Sequence, residues 1–137
     1  MTADDHTRPS LPDVTAAAAR GHVRRLLASG LGGRTAHADA RTDASTVLAD
    51  ALLVTSELVA NALRHGGGVA AFTASLNGDT LRISVADRTV QAPRCKRTAD
   101  EVLPGGRGWP IVQRLCFSVE VVPSPGGKTI HACLGVV

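Results

Sequence analysis

Apolar residues at Val47, Ala51, Val54, Leu58 and Ala62 recur at intervals of three or four. That period predicts a helix of about five turns, running from a Ser45 cap to a stop at Gly66-Gly67-Gly68. Upstream, the Ala16 to Ala19 run together with Val23, Leu26 and Leu27 fits an amphipathic helix from Asp13 to Ser29. Asp13 or Thr15 would cap it, and Gly30 would stand near its end. A polar linker, Gly32 to Asp43, separates the two helices, and Met1 to Pro12 read as a loose polar tail.

After the glycines the period falls to two. Val69 to Leu76 and Leu81 to Arg88 alternate as strands, and Asn77-Gly78 between them signals a hairpin. Thr89 to Gly108 has no sustained period and contains Pro93 and Pro104, which predicts a long loop of the kind that usually carries function or disorder. A short helix from Trp109 to Cys116 follows, with Pro110 suited to its first turn. Phe117 to Val122 and Thr129 to Val136 form a second hairpin closed through Pro123-Ser124-Pro125-Gly126-Gly127. The order of elements implies an α+β fold: one four-stranded, largely antiparallel sheet with about three helices on one face. A single domain over residues 13–137, after a tail at 1–12, accommodates all of them.

Composition changes this picture little. Of 137 residues, 44% are hydrophobic and 20% charged, as in ordinary globular chains, but Phe72, Trp109 and Phe117 are the only aromatics. The core must therefore be aliphatic. The net charge of +3 is spread out, without a basic run or stripe. That counts against a nucleic-acid-binding domain, which would bind in a salt-sensitive way. Arg greatly outnumbers Lys, only Lys96 and Lys128 being lysines, in an Ala-rich chain. This bias suits a GC-rich bacterial genome better than a selected basic surface. The N-terminus lacks the apolar run of a signal peptide, and no stretch is uninterruptedly apolar for a membrane span of about 18 residues. A cytoplasmic location without a membrane partner is expected. Cys95, Cys116 and Cys133 form neither a C-x-x-C pair nor an even set, so reduced thiols are expected.

Three features carry candidate chemistry. Glu57 and Asn61, four residues apart, share one helix face beside the apolar stripe. Their oxygens can orient a nucleophile and hold Mg2+, or they can be an ordinary surface pair. Asp87 falls in phase with Leu81, Ile83 and Val85, so its carboxylate faces the core and needs a partner. An adenine amino group would satisfy it; alternatively the strand ends there and Asp87 meets water or a nearby backbone amide. Gly105-Gly106-Arg107-Gly108 precedes a helix, where backbone N–H groups and Arg107 can meet phosphates, or the glycines can act as a hinge. No Walker lysine follows. His65 sits at a helix C-terminus, where interaction with the dipole accounts for it.

Taken in order, Glu57-Leu58-Val59-Ala60-Asn61-Ala62-Leu63-Arg64-His65-Gly66, Asp87, Gly105-Gly106-Arg107-Gly108 and Gly127-Lys128-Thr129 resemble the GHKL superfamily of gyrase, Hsp90, histidine-kinase and MutL ATPases. The branch of anti-sigma-factor serine/threonine kinases is the most similar. The resemblance spans Asp13 to Val137 and implies a Bergerat-type two-layer α/β sandwich. It also implies Glu57 as general base, Asn61 as Mg2+ ligand and Asp87 as the carboxylate that reads adenine. Gly105, Gly106, Arg107 and Gly108 would line the phosphates, Thr129 would reach the adenine region through water, and Thr89 to Pro104 would form a lid over ATP.

The implied reaction is phosphoryl transfer from Mg-ATP to a serine or threonine of an anti-sigma-factor antagonist, or sequestration of a sigma factor by the same surface. A homodimer is common in such proteins. Two departures stand out. Asp87 is followed by Arg88-Thr89-Val90-Gln91-Ala92-Pro93 without the usual glycines, which favours a non-catalytic ATP-binding module as the alternative. By strict alternation Thr129 falls with His131 and Cys133, opposite Ile130, so a pocket-facing Thr129 requires a bulge or a later strand start.

Overall fold

The computed structural model describes residues 14–31, 44–89 and 108–136. Within them the chain order is α1 (Ala16–Leu31), α2 (Ala44–His65), β1 (Val69–Asn77), β2 (Thr80–Asp87), α3 (Gly108–Leu115), β3 (Ser118–Ser124) and β4 (Gly127–Gly135). Each expected helix and strand is present, and the fold is α+β. Boundaries move by one to three residues, as element ends do when caps and turns decide them.

At the start of α1 the choice between caps falls on Thr15, whose Oγ1 accepts from the Ala18 N–H at 3.0 Å. Gly30 stands near the end of that helix, one residue before Leu31, where a Cβ would collide with Leu76. The glycine stop of α2 works as its sequence predicts. Gly67 takes φ of 72° and the Gly68 N–H bonds back to the Ala62 carbonyl at 3.0 Å, which satisfies an orphan carbonyl of the last turn. The first hairpin turns one residue later than its Asn-Gly signal, since Asn77 pairs with Thr80 around Gly78 and Asp79. The second closes more tightly than expected. Ser124 pairs with Gly127, so Pro125 and Gly126 alone make the turn, and Pro123 sits on a strand that lies at the sheet edge, where a missing N–H is tolerated.

The sheet order is β1-β2-β4-β3, all neighbours antiparallel. α1 packs on α2 and β1, α2 on the middle of the sheet, and α3 on α2 and β3, so the helical layer runs α1, α2, α3 across one face. Between the layers lie Val23, Val54, Leu58, Val59, Phe72, Leu81, Ile83, Val85, Val112 and Ile130, all essentially excluded from solvent. Phe72 is the one aromatic ring buried there, with His22 packed edge-on at 6.1 Å between centroids; the rest of the core is aliphatic, as the composition demands. α2 is long and apolar enough to cross a membrane by length and composition. Here its apolar stripe is spent on the protein core, and Asp50, Glu57 and Asn61 stand on the helix beside it.

Candidate nucleotide site

Glu57 and Asn61 stand where the helical period puts them, half-buried at the border of the α2 core stripe. Their neighbour Ser56 accepts from Arg20 of α1 at 3.2 Å, which fixes the flank that α2 turns toward α1. At about 100° per residue, Glu57 and Asn61 lie about 100° and 140° round the helix from Ser56, on the other side of the core stripe. Within the stripe Thr55 is fully buried and gives its hydroxyl proton to the Ala51 carbonyl at 2.7 Å, so the only polar group on that face is internally satisfied. Glu57 and Asn61 therefore remain as two half-buried, oxygen-bearing side chains beside the core stripe of α2.

The far end of α2 meets the end of β2. Arg88 N–H donates to the Gly66 carbonyl at 2.8 Å, and a Cβ on Gly66 would stand 2.7 to 2.8 Å from the Asp87 carboxylate group. Only glycine permits that approach. Gly127 does the same from β4, lying against the Asp87 backbone where no Cβ fits. Asp87 is thus held between the helix end and the neighbouring strand, and it is 5% exposed.

The alternation of β2 places the Asp87 carboxylate inward, as expected, but its partner comes from the chain itself. Lys128 Nζ lies 2.7 Å from Oδ2, and both side chains are buried. The Thr89 N–H donates to Oδ1 at 3.0 Å, the backbone-amide contact that was the alternative for this residue. Each carboxylate oxygen therefore carries a donor, and among the described residues no buried side-chain polar atom lacks one. Lys128 is the buried partner of Asp87 that motif reading passed over. The signal for it was available, because β4 alternation puts Lys128 in phase with Ile130, Ala132 and Leu134, and a lysine in that phase must find a carboxylate.

The same register corrects Thr129. It pairs with Ala86 on one side and Val122 on the other, without a bulge, and β4 starts earlier than expected at Gly127. Its side chain stands on the open face of the sheet, away from the helices, and the inward position belongs to Lys128. On that open face Ser84 Oγ and His131 Nδ1 share a 2.6 Å hydrogen bond. Partial burial, with Arg82 adding to it and Glu120 opposing, lowers the His131 pKa below its ordinary value. Cys116 and Cys133 are free thiols, and burial, reinforced by Cys133, pushes Cys116 up to about 12, so it is not a nucleophile at neutral pH.

Gly105, Gly106 and Arg107, Cys95 and the expected lid beyond Thr89 lie outside the described residues. For Mg2+ the donor set is suitable in kind. Glu57 and Asn61 offer hard oxygens on one flank, and among the described residues no cluster of three or more His, Cys, Asp or Glu could cage a metal alone. Mg2+ commonly takes one or two protein oxygens and completes its shell with phosphates and water.

Comparison with known proteins agrees with the architecture. Residues 9–134 match the family described as Histidine kinase-like ATPase domain, and the chain belongs to that family. Among solved structures, the Erythrobacter litoralis EL346 blue-light activated histidine kinase is 19% identical, with a TM-score of 0.52 over 86% of this chain and 42% of that one. The histidine kinase domain of the same protein is 24% identical, with a TM-score of 0.47 over 66% of this chain and 45% of that one. The chain thus spans less than half the length of either structure, and its likeness to the first is one of fold. No curated protein sequence matches it significantly.

Proposed function

We propose that this protein binds Mg-ATP and acts as a cytoplasmic serine/threonine protein kinase of the anti-sigma-factor type, phosphorylating an anti-sigma-factor antagonist. The observation that carries this reading is the half-buried Glu57/Asn61 pair, one helical turn apart on α2, in a chain of the Histidine kinase-like ATPase domain family. Glu57 accepts the proton of the substrate hydroxyl as that oxygen bonds the terminal phosphorus and the bond from this phosphorus to the bridging oxygen breaks, releasing ADP. Asn61 would hold Mg2+ through its amide oxygen, and the ion would supply charge neutralisation at the phosphates. Gly105, Gly106, Arg107 and Gly108 line the phosphates, where the α3 N-terminus adds partial positive charge. The resemblance assigns the adenine amino group to Asp87, whose two carboxylate oxygens in this chain already accept from Lys128 and the Thr89 N–H. Thr129, which stands on the other face, has no part in this arrangement.

A second reading is a non-catalytic ATP-binding module that sequesters a sigma factor or other regulator. The buried Asp87–Lys128 pair favours it, because a carboxylate already neutralised binds the base less strongly. Mixing the protein with labelled ATP, Mg2+ and candidate antagonist proteins separates the two. Transfer of label to a serine or threonine, lost in Glu57→Ala and Asn61→Ala, is the result expected. Calorimetric ATP binding without transfer selects the sequestering module, and absence of ATP binding overturns both.

A further inference from the structure

Lys128 occupies a place that a ligand would be expected to fill. The carboxylate of Asp87 is enclosed by Gly66 on the α2 side, by the Thr89 N–H at Oδ1 and by the Lys128 ammonium at Oδ2. With 2% of the Asp87 side chain exposed, no ligand atom can reach that carboxylate unless one of these neighbours withdraws. Gly66 is fixed by the helix stop, and the Thr89 contact is local to the Asp87 turn. The lysine side chain is the neighbour with rotatable bonds, and its head group is chemically an amine that donates hydrogen bonds to a carboxylate. An exocyclic amino group of a purine would do the same.

We propose that Lys128 is the specificity-determining residue of the base pocket, an internal amine that holds the Asp87 position otherwise open to the 6-amino group of adenine. This rests on the nucleotide reading given above. Its consequence is a site that does not select by the base. The triphosphate and Mg2+ would provide affinity, while the carboxylate that distinguishes an amino-bearing purine stays committed to Lys128. Removing the ammonium would free that acceptor, raise affinity for ATP and create discrimination that the natural chain lacks.

The experiment compares, by calorimetry in Mg2+, the binding of ATP with that of purine riboside triphosphate, which lacks the 6-amino group. In the wild-type protein the two should bind within about threefold of each other. In Lys128→Thr, ATP should bind about tenfold or more tighter than the analogue, the size expected for one recovered hydrogen bond to a charged group. Because that variant leaves a buried carboxylate without its counter-ion, Lys128→Gln, which keeps a neutral donor of similar length, is measured beside it, with circular dichroism to establish folding. An ATP preference of tenfold in the wild type overturns the proposal without any variant, as does a folded Lys128→Thr that binds both ligands equally. If neither the wild type nor a folded Lys128 variant binds ATP, the nucleotide site itself fails and the inference falls with it. Retained wild-type binding of both ligands, in contrast, leaves the nucleotide reading intact and tests Lys128 alone.

Discussion

β2 and β4 are joined by two polar pairs on opposite faces of one ladder: Asp87 with Lys128 under the helical layer, and Ser84 with His131 on the open side. They are three register positions apart and built on the same backbone hydrogen bonds. Their surroundings separate them. Under the helices, charge is admitted only as an ion pair with every acceptor filled, because an unpaired ion in that environment costs several kcal/mol. On the open face a hydroxyl–imidazole pair suffices, and partial burial and Arg82 lower the histidine's pKa against the opposing pull of Glu120. A sheet covered on one side thus sorts its polar residues by how much each loses when its partner is removed.

The covered pair should break hardest. Asp87→Ala leaves Lys128 buried without a counter-ion and should cost about 3–5 kcal/mol in denaturant-induced unfolding. Replacing both partners with apolar residues, Asp87→Leu with Lys128→Met, should return most of that loss, since two well-packed apolar groups carry no desolvation penalty. A single-variant loss below about 1 kcal/mol would show that the pair is open to water. Next in size is Gly66→Ala, whose new Cβ must displace the Asp87 carboxylate; overpacking of this kind costs about 1–3 kcal/mol by the same measurement.

Effects on the open face should be smaller. Ser84→Ala removes one neutral hydrogen bond and should cost about 0.5–1.5 kcal/mol. Acid titration should give the least. The His131 pKa is lower folded than unfolded, so the unfolded chain takes up the proton first as pH falls. Stability is full above the ordinary histidine pKa of about 6.5, and it declines as pH drops from there to the lower folded value. His131→Gln should flatten that part of the stability profile. A profile unchanged by the substitution would mean that other groups set it.

Much of the fold was legible because periodicity is a local property. Val47 through Ala62 declared a helix and its buried face, and the two-residue alternation of Leu81 to Asp87 declared a strand and the inward turn of Asp87. The Thr129 assignment was harder, since the motif drew it toward the pocket while its own alternation turned it away; the unbroken register of β4 decided for the alternation. Glu57 and Asn61 were readable for the same reason as the stripe beside them, their spacing being that of one helical turn.

The sequence by itself determined which residues form helices and strands, which side of each is apolar, and that Asp87 and Lys128 both point inward. Whether those two charges meet was decided by tertiary structure. Lys128 reaches Asp87 only because β4 returns antiparallel beside β2 in a register that sets the two residues opposite each other, and because Gly66 and Gly127 let helix and strand close around them. Pairing across 41 positions depends on which strands become neighbours, and that follows from how the helices cover the sheet.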